Sequence, residues 1–199
     1  MAPIATCSVY EQERLKYARV WQEVEAYRIT SFGEQLVGPF LALSGVQPGA
    51  RIVDVGCGTG RAGLKFAELL MAVVLVDATR DALDRSVAAE VERYRIGFVE
   101  SCLWREWGLE PQDWAYCCDV LEHIPTEFTM LVVARCLQAA PRAFFHINFE
   151  PDSFGRAIGD VLHLTVQPFV WWRDRLAEVG RLVEARDLLG TGLFILERA

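Results

Sequence analysis

The residues of this chain with the clearest chemical potential are two acids and three glycines. They centre on one short run, Ile52-Val53-Asp54-Val55-Gly56-Cys57-Gly58-Thr59-Gly60, which leads into a helix-like segment from Ala62 to Leu70. Glycine tolerates backbone angles and close ligand approach that a Cβ would block. A strand, a tight glycine turn and a helix in this order therefore make a ligand cradle at the carboxyl edge of an α/β sheet. Two details narrow the ligand. A dinucleotide fingerprint needs G-x-G-x-x-G, and the position of its third glycine is taken by Arg61. Asp54 sets a carboxylate two residues before the first glycine, where it repels a pyrophosphate and suits a positively charged group, directly or through water. Asp77 closes the next apolar run, Val74-Leu75-Val76-Asp77, beside the glycine turn. There it can accept from both ribose hydroxyls of a nucleoside; the plainer reading is a solvated acid ahead of a helix start at Asp81.

Three histidines could carry protons. His123, in Asp119-Val120-Leu121-Glu122-His123, opens onto the same edge as the glycine turn. It serves either as a general base or as a cap and brace for the neighbouring loop. His146 lies inside an apolar run and reads as a hydrogen-bonded core or edge residue, with a substrate contact as the alternative. His163 follows a long connection, Glu150 to Leu162, that forms either a lid or a surface loop. With no C-x-x-C pair and histidines this far apart in sequence, no zinc site is expected. Tyr17, Trp21 and Tyr27 either close over a cationic ligand or form a helical stripe buried on the sheet, and their ordinary spacing favours the stripe. Trp171 and Trp172 open a late helix, one facing the core and the other at the pocket edge.

The elements that must position these residues follow from periodicity. A helix is expected from Tyr10 to Tyr27, then a second opening at Ser31 with Glu34 in a capping box and a kink or split at Gly38-Pro39. Beyond the Pro48-Gly49 turn, nearly continuous apolar runs at 51–55, 72–76, 96–99, 114–118 and 143–149 alternate with helix-length segments. They read as parallel strands buried on both faces. A helix over 171–179 and runs at 182–188 and 192–197 end the chain in an antiparallel hairpin.

At 199 residues and 52% hydrophobic, the chain suits a single domain. A net charge of −7 argues against a nucleic-acid partner, because phosphate binding needs clustered Lys and Arg. No apolar run approaches a membrane span, and the first residues lack the basic start and apolar core of a signal peptide, so a cytoplasmic protein is expected. Cys57, Cys102, Cys117, Cys118 and Cys136 sit in apolar segments and read as reduced thiols.

Taken together, Asp54-Val-Gly-Cys-Gly-Thr-Gly60, Asp77 and Cys118-Asp-Val-Leu-Glu-His-Ile-Pro125 resemble the class I S-adenosylmethionine-dependent methyltransferases, from about Val46 to the carboxyl terminus. The resemblance implies an α/β fold with a Rossmann-like, mostly parallel seven-stranded sheet, helices on both faces and an antiparallel last strand. Residues 1–45 would form a helical cap and 46–199 the cofactor-binding domain. It implies S-adenosylmethionine as cofactor: Gly56 and Cys118 meeting the methionine amine through their carbonyls, Gly58 lining the ligand, Asp77 holding the ribose and Ala78 packing on adenine. Cys57, Gly60, Asp119 and Val120 complete the expected set. The family often has an Asp after the third strand for the adenine amino group; this chain has Glu100-Ser101-Cys102-Leu103, so Ser101, Cys102 and Leu103 are candidates without that acid.

The expected activity is methylation of oxygen or nitrogen on a small molecule, with His123 as candidate base and Tyr17, Trp21, His146 and His163 as candidate substrate contacts. The absence of Asp-Pro-Pro-Tyr, Asn-Pro-Pro-Tyr and Pro-Cys after the fourth strand argues against DNA methylation. RNA or protein acceptors, a non-catalytic cofactor-binding subunit and, least favoured by Arg61 and Asp54, an NAD-dependent oxidoreductase are the alternatives.

Overall fold

Runs rich in Val, Ile, Phe and Tyr become strands because branched and aromatic side chains pack well on a pleated surface. In the computed structural model, which describes residues 3–30, 32–93 and 95–199, these strands are β1 (Arg51–Val55), β2 (Ala72–Asp77), β3 (Gly97–Glu100), β4 (Trp114–Cys118), β5 (Arg142–Asn148), β6 (Arg181–Asp187) and β7 (Thr191–Glu197). They form one seven-stranded sheet in the order β3-β2-β1-β4-β5-β7-β6. β3, β2, β1, β4 and β5 run parallel, while β7 is antiparallel to both β5 and β6. The strand order reverses between β1 and β4, which is where an open α/β sheet leaves a ligand crevice at its carboxyl edge.

The helices are α1 (Pro3–Glu23), α2 (Glu25–Ile29), α3 (Gly33–Ser44), α4 (Arg61–Glu68), α5 (Arg85–Glu92), α6 (Thr126–Ala139) and α7 (Phe169–Ala177). Alternation along the strands divides the core in two. On one face Val53, Val55, Ala115 and Cys117 pack with Val132, Val133, Trp172 and Leu176 of α6 and α7. On the other, Ile52, Leu75 and Tyr116 pack with Phe40 of α3, Phe66 of α4 and Val87 of α5. Phe40 stands edge-on to Phe66, Trp114, Tyr116 and Phe144, and the Tyr116 hydroxyl donates to the Gly33 carbonyl at 2.5 Å, fixing the start of α3. Asp54 shares the face of Ile52, so its carboxylate enters the α3 and α4 side of the core.

Several local expectations are corrected. β3 is an edge strand with both ends exposed, so it is not buried on both faces, and it begins one residue later than its apolar run. The expected helix over Tyr10–Tyr27 breaks at Val24 (φ −117°, ψ 85°), which turns α2 so that Arg28 donates to the Ala82 carbonyl and pairs with Asp84. Pro39 lies inside α3 without splitting it; burial of Val37 and Phe40 on either side outweighs the lost backbone bond. Ser31, and with it the capping box, lies outside the described residues. No described helix is long and apolar enough to cross a membrane.

Candidate functional site

β1 runs straight into the glycine turn. The amides of Gly56 and Cys57 both donate to the Val76 carbonyl, at 2.8 and 3.2 Å, so the turn folds back over the end of β2. Gly56 and Gly58 adopt φ +68° and +50°. A Cβ on Gly56 would lie 2.5 Å from Val120, and one on Gly58 would lie 3.0 Å from the Trp21 ring. The glycines thus admit two neighbours from distant parts of the chain.

The two acids lie at the carboxyl ends of adjacent strands, Asp54 one residue before the end of β1 and Asp77 at the end of β2. Asp54 is 4% exposed, and its Oδ2 has no hydrogen-bond partner. Burial, reinforced by the nearby Asp77, raises its pKa to about 7 against the hydrogen bond from the Gly63 amide, which lowers it. Asp77 accepts from the Gly58 amide at 2.8 Å and from the Thr79 amide at 3.3 Å. Burial raises it to about 6, with the backbone donors pulling the other way. An unpartnered buried carboxylate oxygen is costly unless something positive or hydrogen-bearing meets it.

Two cavities open beside these groups. The larger, about 180 Å³, is lined by Asp54, Gly33, Cys118, Asn148, Asp152 and His163 among others; the smaller, about 90 Å³, by Tyr10, Asp77, Ala78, Leu103, Trp104 and Val120. Gly56, Gly58, Asp119, His123, Trp21 and Tyr27 line both. Trp21 and Tyr27, with ring centroids 4.7 Å apart, stand where the two spaces meet.

Past β4 the backbone turns sharply. Asp119 has φ +54°, a strained angle for a residue with a Cβ. Its amide donates to the His146 carbonyl at 3.0 Å and its Oδ1 meets His146 Nδ1 at 2.8 Å. Glu122 is fully buried: Oε1 accepts from the Asn148 amide at 2.9 Å, while Oε2 has no partner. Burial and the neighbouring Asp119 push its pKa well above the usual carboxylate range. His123 opens slightly to the cavities but is enclosed by protein, and burial, with His163 beside it, lowers its pKa to about 3. His123 Nδ1 lies 2.8 Å from the Tyr17 hydroxyl and 3.2 Å from the Leu162 carbonyl, and the His163 ring meets it edge-on at 4.6 Å between centroids.

The fold gathers most of the residues singled out from sequence, though not in the expected surroundings. Tyr17, Trp21 and Tyr27 do not form a stripe on the sheet. They pack with Phe154, Ile158 and Leu162, so α1 covers the carboxyl edge and the Glu150–Leu162 connection forms a wall of the larger cavity. His146 lines neither cavity, because its ring is occupied behind Asp119 and lies buried in β5. Gly60 caps α4 against Leu75, Leu83 and Val87, and Ser101 and Cys102 also lie off both cavities, leaving Leu103 from that stretch. Trp172 is buried in the core and Trp171 packs beside it, so neither edges the site. Histidines far apart in sequence meet in space, which the spacing argument against a metal site did not foresee. Sequence reasoning also passed over Glu122, Asn148 and Asp152; the one available signal was an acid between Leu121 and His123 in an otherwise apolar turn.

Residues 52–140 match the model of the methyltransferase domain family. Among curated proteins, the chain is 31% identical over 120 residues to a ubiquinone biosynthesis O-methyltransferase of Xanthomonas oryzae pv. oryzae, the match covering 55% of this chain and 48% of that protein. The chain thus matches about half the length of these curated relatives. Among solved structures, the Burkholderia thailandensis 1,6-didemethyltoxoflavin-N1-methyltransferase, determined with its substrate and S-adenosylhomocysteine, superposes with a TM-score of 0.72 at 17% identity, over 100% of this chain and 92% of that one. The N-methyltransferase NodS of Bradyrhizobium japonicum, in complex with S-adenosylhomocysteine, gives 0.66 at 15% identity, over 94% and 98%. At such identities the likeness concerns the fold alone, a Rossmann-like seven-stranded α/β sheet shared with these methyltransferases.

Proposed function

Because residues 52–140 match the methyltransferase domain family and the fold is shared with solved methyltransferases, we propose that the chain binds S-adenosylmethionine and methylates oxygen or nitrogen of a small molecule. The observation that carries this reading is the unpartnered Oδ2 of Asp54, buried beside a glycine turn and lining the larger cavity. A cationic group is what such an oxygen lacks, and a phosphate is what it would repel.

The residues present fit the cofactor. Asp77, Ala78, Leu103 and Val120 line the smaller cavity and would take the nucleoside; Asp54, Gly56, Cys57 and Cys118 line the larger and would take the methionine end. When bound, the cofactor supplies a methyl carbon made electrophilic by positive sulfur. The protein's part is then chiefly to hold and orient an acceptor and to exclude water. Tyr17, Trp21 and Tyr27 supply an aromatic wall suited to positive charge, with residues 1–45 as the cap. His163 and Asp152 border the acceptor side, and His123 stands between the two spaces, neutral at physiological pH; burial that lowers its pKa to about 3 makes it a weak base, suited to orient an acceptor by a hydrogen bond more than to remove a proton. A cytoplasmic location, suggested by the composition and the reduced thiols, is part of the same reading.

Calorimetry tests the cofactor: S-adenosylhomocysteine should bind once per chain and NAD should not. The reverse result would overturn the assignment. Turnover is tested by incubating the chain and S-adenosylmethionine with a small-molecule extract and following S-adenosylhomocysteine release. Binding without release in any fraction would leave a cofactor-binding subunit in place of an enzyme.

A further inference from the structure

Glu122, His123 and His163 each offer one ligand atom to a common point, and the three atoms lie within 4.8 Å of one another. Their surroundings prepare them for a positive ion. His163 Nδ1 lies 2.6 Å from the Glu150 carbonyl, which can only accept, so the proton sits on Nδ1 and Nε2 carries the lone pair. His123 Nδ1 lies near the Leu162 carbonyl and the Tyr17 oxygen, whose own hydroxyl donates to that carbonyl at 3.3 Å. With Nδ1 protonated, the contacts to Leu162 and Tyr17 are both satisfied and the lone pair of His123 lies on Nε2. Backing one imidazole nitrogen with a carbonyl while the other stays open is how proteins orient metal-binding histidines. The third group, Glu122, is fully buried, has its backbone pinned by the amides of Leu164 and Thr165, and holds an oxygen with no partner. Asp119 sets a second carboxyl group nearby, and among the described residues no Lys or Arg forms an ion pair with either acid.

We propose that Glu122, His123 and His163 form a binding site for one divalent transition ion of the zinc or manganese class. Two imidazoles and a carboxylate are a donor set suited to such ions, whereas magnesium and calcium prefer oxygen alone. Ligands about 2.0 to 2.2 Å from zinc stand roughly 3 to 3.5 Å apart, so closure asks for a small rotation. His163, half-buried on the connection after β5, is free to make it. Both histidines line the larger cavity, so the ion would face the space assigned to the acceptor and could orient an oxygen there; this role, unlike the site itself, rests on the proposed methyl transfer.

The full-length chain, stripped with a chelator, should take up one equivalent of Zn²⁺ by calorimetry and elemental analysis, and Mn²⁺ should give a bound signal by electron paramagnetic resonance. Glu122→Gln, which preserves shape, and His163→Ala, at a half-exposed position, should each weaken uptake at least about tenfold to a hundredfold. Uptake well below one equivalent, or unchanged affinity in both variants, would overturn the site. Titration of the metal-free chain with S-adenosylhomocysteine keeps the two readings apart. Cofactor binding without metal uptake removes only the ion, and metal uptake without cofactor binding removes only the nucleoside.

Discussion

Replacing Asp54 by Asn should move cofactor affinity and apo stability in opposite directions. The folded-state pKa of about 7 lies above the ordinary 3.8, so the sign is that of a group that prefers its proton when folded. Its contribution is fully present below pH 3.8 and is lost as pH rises through about 7. At pH 8 the ionised side chain then costs roughly 3 units at 1.36 kcal/mol each, or about 4 kcal/mol. Asn keeps an acceptor for the Gly63 amide and carries no charge, so Asp54→Asn should raise the denaturation midpoint of the free chain at pH 8, by an amount that shrinks toward pH 5. A cationic ligand, in contrast, loses a charge-assisted bond worth about 1.5 to 3 kcal/mol, so S-adenosylhomocysteine should bind about tenfold to a hundredfold more weakly. Near pH 6, binding to the native chain should also release close to one proton, measured by calorimetry in buffers of different protonation enthalpy. A variant that is less stable at pH 8, or that binds S-adenosylhomocysteine as tightly as the native chain, would refute the assignment of this oxygen to a positive group.

Gly56→Ala should abolish cofactor binding and destabilise the fold by at least about 1 to 3 kcal/mol, because it combines a positive φ with a Cβ placed 2.5 Å from Val120; chemical denaturation and calorimetry read both. Phe40→Ala should cost about 3 to 5 kcal/mol in urea unfolding, since the ring is fully buried against four other aromatics on the α3 side. Trp21 fills the junction of the two cavities against Gly58, so S-adenosylhomocysteine should change the intrinsic fluorescence of the native chain and do so much less in Trp21→Phe. Asp77→Ala should weaken S-adenosylhomocysteine about tenfold to a hundredfold, with unchanged affinity refuting its ribose role.

Much of the sheet was legible because its signals are local. Each central strand is a short apolar run bounded by turn residues, and the hairpin of β6 and β7 announces itself by an intervening glycine turn. β3 was read as fully buried because composition alone does not say which strand will lie at the edge; that depends on strand order. The break at Val24 was missed for a related reason, since helical periodicity continues through it and only the pull of α2 toward Ala82 and Asp84 ends the helix there.

The chain's own order of residues determined the glycine turn after β1, the acids near the ends of β1 and β2, and the sign of charge they welcome, because each follows from neighbours within a few positions. Tertiary packing decided everything that crosses the crevice. It laid α1 over the site, set Tyr17 against His123 across a separation of 106 residues, sank Glu122 without a partner for Oε2, and brought His163 to the edge of His123. The physical reason is that periodicity reports which face of an element is apolar, while the partner that covers that face is chosen by the free energy of burying the assembled chain as a whole.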